Sequence, residues 1–139
     1  MEDENIMEKA TFENFAIRAI YTGSKPAQWG NGRENWNHHK VTVTNKDNGL
    51  KTSFDFWASI ENPNLETEYD ILNAFYCFIS DAISGDMSFS EFCGEFGYDE
   101  DSRSAEKTWK ACKRSADKLK RIHDGDLYDL ANRLQEIAG

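Results

Sequence analysis

The hydrophobic period of this chain changes once, near Thr67, and that change constrains the fold more than any other feature. Before it, apolar and polar residues alternate: Phe15, Ile17, Ala19 and Tyr21 within 12–22, Val41 and Val43 in HHKVTVT, and Phe54, Phe56 and Ala58 in LKTSFDFWASI. Side chains on a strand point to its two faces in turn, so this period of two predicts three half-buried strands. Asn48-Gly49 lies between the second and third, where it predicts a hairpin. SKPAQWGNGRENWN, residues 24–37, is rich in Gly, Asn and Trp and reads as a long loop between the first and second.

After Thr67 the period is helical. Ile71, Leu72, Phe75, Phe78, Ile79 and Ala82 recur at three- and four-residue spacing up to Gly85, which is expected to end the helix. Ser88 and Glu91 form a capping-box pattern ahead of Phe89, Phe92, Cys93 and Phe96, and Gly97 supplies a stop. A longer helix opens near Asp101 or Ser102 and carries Ala105, Trp109, Cys112, Ala116 and Leu119 on one stripe. A last one carries Leu127, Leu130, Leu134 and Ile137. Strands followed by helices predict an α+β fold: a three-stranded antiparallel sheet with about four helices packed on it.

At 139 residues the chain has the size of one domain, 1–139, and its 4 Trp, 5 Tyr and 9 Phe are enough to fill one core. The first ten residues, MEDENIMEKA, read as a flexible acidic amino terminus. They lack the basic-then-apolar pattern of a signal peptide, so a cytoplasmic location is expected. A mean hydropathy of −0.74 and 29% charged residues describe a polar surface. Cys77, Cys93 and Cys112 are odd in number and form no CxxC pair, so buried reduced thiols are expected instead of disulfides or a zinc knuckle.

The net charge of −9 is unevenly distributed. Residues 1–60 carry −1, residues 61–101 carry −11 with no Lys or Arg, residues 102–123 carry +6, and residues 124–139 carry −3. A block of −11 repels itself, so it is spread over solvent, neutralised by the adjacent basic helix, or offered to a basic partner. Asp86, Glu91, Glu95, Asp99, Glu100 and Asp101 are the candidate partner-binding carboxylates, with Trp29 and Trp36 of the long loop as candidate aromatic anchors. Lys107, Lys110, Arg114, Lys118 and Arg121 fall opposite the Trp109 and Leu119 stripe. They form a cationic ridge, the candidate nucleic-acid contact.

Catalytic and metal patterns fit poorly. From Asp99, an EF-hand loop would need a ligand, a Gly and a Glu where Arg103, Ser104 and Lys110 stand. WGNGREN lacks the third glycine of a dinucleotide loop and its strand-to-helix setting. His38 and His39 are adjacent, so on a strand they face opposite sides and cannot chelate one ion; surface or strand-edge positions are expected for them. No GxSxG or HExxH occurs. No catalytic residue, metal or cofactor is therefore assigned, and no enzymatic activity is expected.

DMSFSEFCGEFGYDEDSRSAEKTWKAC, residues 86–112, resembles the carboxy-terminal segment of a widespread group of small phage and prophage proteins. Their shared pattern is an aromatic and Cys helix, then F-G-Y-D-x-D-S-R, then a charged helix. It corresponds here to Phe96, Gly97, Tyr98, Asp99, Asp101, Ser102 and Arg103. With FDFWASI upstream, the likeness covers roughly residues 50–122. It implies no catalytic residues. Small acidic phage proteins include anti-CRISPR and antirestriction inhibitors, so the resemblance implies a protein that blocks a bacterial defence nuclease or CRISPR effector through an acidic surface. The alternative expectation is a nucleic-acid-binding accessory protein acting through residues 102–122.

Overall fold

The computed structural model describes residues 7–26, 35–58, 65 and 67–138. They form an α+β chain of four strands followed by four helices: β1 (Met7–Phe12), β2 (Phe15–Pro26), β3 (Asn35–Asn45), β4 (Lys51–Ala58), α1 (Glu68–Asp86), α2 (Phe89–Phe96), α3 (Arg103–Ile122) and α4 (Leu127–Ala138). The chain parts into two compact units, Met1–Phe75 and Tyr76–Gly139.

In the first unit the strands make an antiparallel meander in the order β1-β2-β3-β4. Alternation dictates its buried face, which carries Ala10, Phe12, Phe15, Ile17, Ala19, Val41, Val43 and Phe54. Ile71, Leu72, Ala74 and Phe75 of α1 are buried too, and the Phe75 ring meets Phe15 with centroids 5.5 Å apart. The first turns of α1 thus close the core over the sheet.

The sheet has four strands where three were expected. The run 12–22 is not one strand: the chain reverses at Glu13-Asn14, and Phe12 pairs with Phe15 across the turn. Glu13 takes a positive φ of 52° there. This conformation is uncommon outside glycine, so nothing in E-N announces the turn. Tertiary bonds hold it instead: Asn14 Nδ2 donates to Asn45 Oδ1 at 2.8 Å, and Lys46 N donates to the Asn14 carbonyl at 2.8 Å. β1 therefore begins at Met7, inside the stretch 1–10 read as flexible. Residues 1–6 lie outside the described residues.

The expected loop 24–37 is strand at both ends. Lys25 pairs with Trp36 and Pro26 with Asn35, beyond a bulge between Tyr21 and Gly23. Sheet pairing overrides the loop-like composition there. Trp29 falls within 27–34, outside the described residues. The hairpin expected at Asn48-Gly49 is present: Gly49 has φ 73°, its N–H donates to the Asn45 carbonyl at 2.8 Å, and Asn45 N donates to the Leu50 carbonyl at 2.9 Å.

Because β3 is an interior strand, its histidines are not at an edge. His38 and His39 are both buried, contrary to the surface positions expected. They do face opposite sides: His39 meets the Tyr21 ring edge-on at 5.5 Å, while His38 lies against Trp57.

The helices start and stop close to where their local signals sit. α1 is the exception, since it continues through Gly85 to Asp86. Gly85 is buried, and a Cβ placed on it would overlap the Cys112 carbonyl, so it serves close approach between α1 and α3 instead of termination. All three cysteines are free thiols, but only Cys93 is buried; Cys112 is half-buried and Cys77 exposed. Cys77 shares an i, i+4 stripe with the exposed Asn73 and Asp81, away from the buried Phe75, Phe78 and Ile79.

Candidate partner-binding surface

The acidic segment is organised by α2 and the turn that leads into α3. At the start of α2, Ser88 Oγ accepts from Glu91 N and Glu91 Oε1 accepts from Ser88 N, each at 3.1 Å. This completes a capping box. The Ser88 backbone N–H, aided by the Ser88 hydroxyl, holds the Glu91 carboxyl below the usual carboxylate range. At the far end Gly97 turns left-handed at φ 75°, and Tyr98 N donates to the Cys93 carbonyl at 2.9 Å. This is the six-to-one bond of a Schellman motif, and the hydrophobic contact that accompanies such motifs is Tyr98 stacked on Phe92 at 5.5 Å.

The connector is then pinned. Asp99 Oδ1 accepts from Asp101 N at 2.9 Å, the Asp99 carbonyl accepts from Ser102 N at 3.0 Å, and Ser102 Oγ caps α3 by accepting from Ala105 N at 3.1 Å. Ser90 Oγ donates to Glu100 Oε2 at 3.4 Å, which draws the connector back to the first turn of α2. Beneath it, Phe92, Cys93 and Ala105 form a buried cluster flanked by Met87, Phe89 and Trp109. Trp109 Nε1 donates to the Met87 carbonyl at 2.9 Å and locks α3 to the entry of α2.

The six candidate carboxylates therefore differ in what they do. All are exposed. Asp86 is paired with Lys120 of α3, which ties acidic and basic segments together. Glu91 is engaged in capping, and Asp99 and Glu100 in turn geometry. Glu95 stands one helical turn from Glu91 on α2, and Asp101 follows in the connector. Set among them are two aromatics: Phe96, which sequence periodicity assigned to packing, is 49% exposed, and Tyr98 is 45% exposed. Phe96 lies on the apolar stripe of α2, so periodicity alone predicts burial. Gly97 ends the helix directly after it, as expected, and the Phe96 ring at that end is left half-exposed.

Trp36 lies on β3 opposite Lys25, and Trp29 falls outside the described residues. On α3, Lys107, Lys110, Arg114 and Arg121 are exposed and Lys118 half-buried, facing away from the buried Ala105, Ala116, Leu119 and Ile122. Glu106 approaches Lys110 at 4.0 Å, and Lys113 sits over the Trp109 ring.

Among the described residues no group of three His, Cys, Asp or Glu side chains could hold a metal ion, and no helix is long and apolar enough to cross a membrane. No family model, curated protein or solved structure matches this chain.

Proposed function

We propose that this protein is a phage- or prophage-derived inhibitor that works by binding and not by catalysis. Its target is a bacterial defence nuclease, foremost a CRISPR effector, whose basic phosphate-binding surface accepts the α2–connector face. The observation that carries this reading is the pair Phe96 and Tyr98, half-exposed within the run Glu95, Asp99, Glu100 and Asp101. Aromatic anchors rimmed by charge are the usual anatomy of a binding hot spot, and carboxylates complement a surface built for phosphates. The resemblance of residues 86–112 to phage proteins supports the same direction.

The test is a DNA-cleavage assay with purified, guide-loaded CRISPR effectors. The protein is expected to inhibit at least one of them. Glu95→Lys with Asp101→Lys, neither of which caps a helix, should weaken that inhibition at least tenfold while circular dichroism stays unchanged. Undiminished inhibition by this variant would count against the acidic-surface mechanism.

A second reading rests on the α3 ridge, where Lys107, Lys110, Arg114 and Arg121 are exposed on one side of a 20-residue helix. Nucleic acid held there would give a mobility shift that weakens steeply with salt.

A further inference from the structure

The register of the sheet assembles a surface that no run of sequence displays. On the face opposite the core, Lys9 of β1 stands directly across from Arg18 of β2, and Arg18 across from Thr42 of β3. Lys40, two residues from Thr42, is diagonal to Arg18, and Lys51 of β4 pairs with Thr44. Lys9, Arg18, Lys40 and Lys51 are all exposed, so this face is open to solvent. Asp55, opposite Lys40, is the carboxylate this face carries among the described residues.

Like charges directly across a strand pair destabilise it, so the Lys9–Arg18 pair costs stability that a bound anion would relieve. Lys9, Arg18 and Thr42 lie in one row across three neighbouring strands, a span of about 10 Å, and Lys40 and Lys51 stand two residues to either side of that row. At one end of that face His38 pairs with Trp57 and their rings lie against each other, tilted by 52°; Trp57 remains half-exposed. Thr22 Oγ1 donates to the His38 carbonyl at 3.1 Å beside the β2 bulge, which helps fix the position of this pair.

We propose that this outer sheet face binds single-stranded nucleic acid. Lys9, Arg18 and Lys40 contact consecutive phosphates, and Trp57, backed by His38, stacks on a base. Cations beside a half-buried aromatic on a broad sheet face suit an unpaired strand, whose bases are free to stack. The net charge of −9 does not forbid this, because at physiological salt the field of exposed charges is screened over about 8 Å. The proposal is independent of the inhibitor reading, since the two use different units of the chain.

The experiment is fluorescence anisotropy with a 5′-fluorescein oligothymidylate of about 20 nucleotides, long enough for one sheet-sized site. Binding is expected at low salt, with log K falling against log salt at a slope near −2 for three phosphate contacts. Arg18→Ala with Lys40→Ala should lower affinity at least tenfold and make the slope shallower by about 1.4. Trp57→Ala should lower affinity about tenfold with the slope unchanged, and Trp57→Phe should restore most of it. Lys107→Ala with Arg114→Ala on α3 should have no effect, and circular dichroism checks the fold of each variant. Four results would overturn the proposal: no binding at about 100 µM protein in low salt, loss with the α3 variant instead of the sheet variants, equal affinity for the annealed duplex, or binding to phosphatidylserine vesicles without binding to the oligonucleotide.

Discussion

Two buried residues show how much rests on single positions. Gly85 lies against the Cys112 backbone, with no room for a Cβ. Alanine has the higher helix propensity, worth about 1 kcal/mol in a free helix. Here it would push two helix backbones apart, and Gly85→Ala should instead lower stability by about 2 kcal/mol. Urea denaturation measures this, and a stabilised variant would mean that α1 and α3 separate without cost. His39 offers a pH test. Burial, reinforced by the neighbouring His38, pushes its imidazole below the ordinary value of 6.5. The unfolded chain then takes up its proton first as pH falls. The stability due to neutral His39 is therefore complete above about pH 6.5 and declines as pH drops below it. Thermal melts between pH 5 and 8 should show that decline, and His39→Gln should flatten it. An unchanged slope would place the titration on another group.

At the scale of elements, what sequence could tell depended on how local each signal was. The caps of α2 and α3 are complete within a few residues, so Ser88, Glu91, Gly97 and Ser102 mark helix ends that the structure keeps. Ser88→Ala should accordingly cost about 1 kcal/mol, read as a lower urea midpoint, since it orphans the Glu91 amide. No such local code exists for the Glu13-Asn14 turn, which depends on Asn45, thirty-one residues away. β1 was lost with it, and with β1 the fourth strand. Burial of His38 and His39 was equally hidden, because it follows from β3 having neighbours on both sides. The carboxylates of the candidate site were legible as a charge run, but Phe96 and Tyr98 were not. Whether an aromatic on an apolar stripe is covered depends on what lies past the helix end, and periodicity carries no information about that.

Across the whole molecule, charge is unevenly distributed. Residues 61–101 carry −11 and residues 102–123 carry +6, so the chain is both self-repelling and self-neutralising. Some neutralisation is specific: Lys120 holds Asp86, Arg133 holds Asp129 at 3.1 Å, and Glu106 sits near Lys110. These are exposed pairs, each contributing little in water. The exposed carboxylates of α2 and its connector include Glu95 and Asp101, for which no such cation stands among the described residues. Repulsion among them should therefore outweigh the pairs, and screening it should stabilise the protein. Raising sodium chloride from about 20 to about 300 mM, which shortens the Debye length from roughly 20 Å to below 8 Å, should raise the melting temperature by roughly 2–5 °C. Glu95→Gln with Asp101→Asn should capture part of that rise at low salt and reduce the further response. If the melting temperature instead falls with salt, the attractive pairs dominate. The acidic run is then neutralised within the chain, and no surplus negative charge is left for a basic partner to recognise.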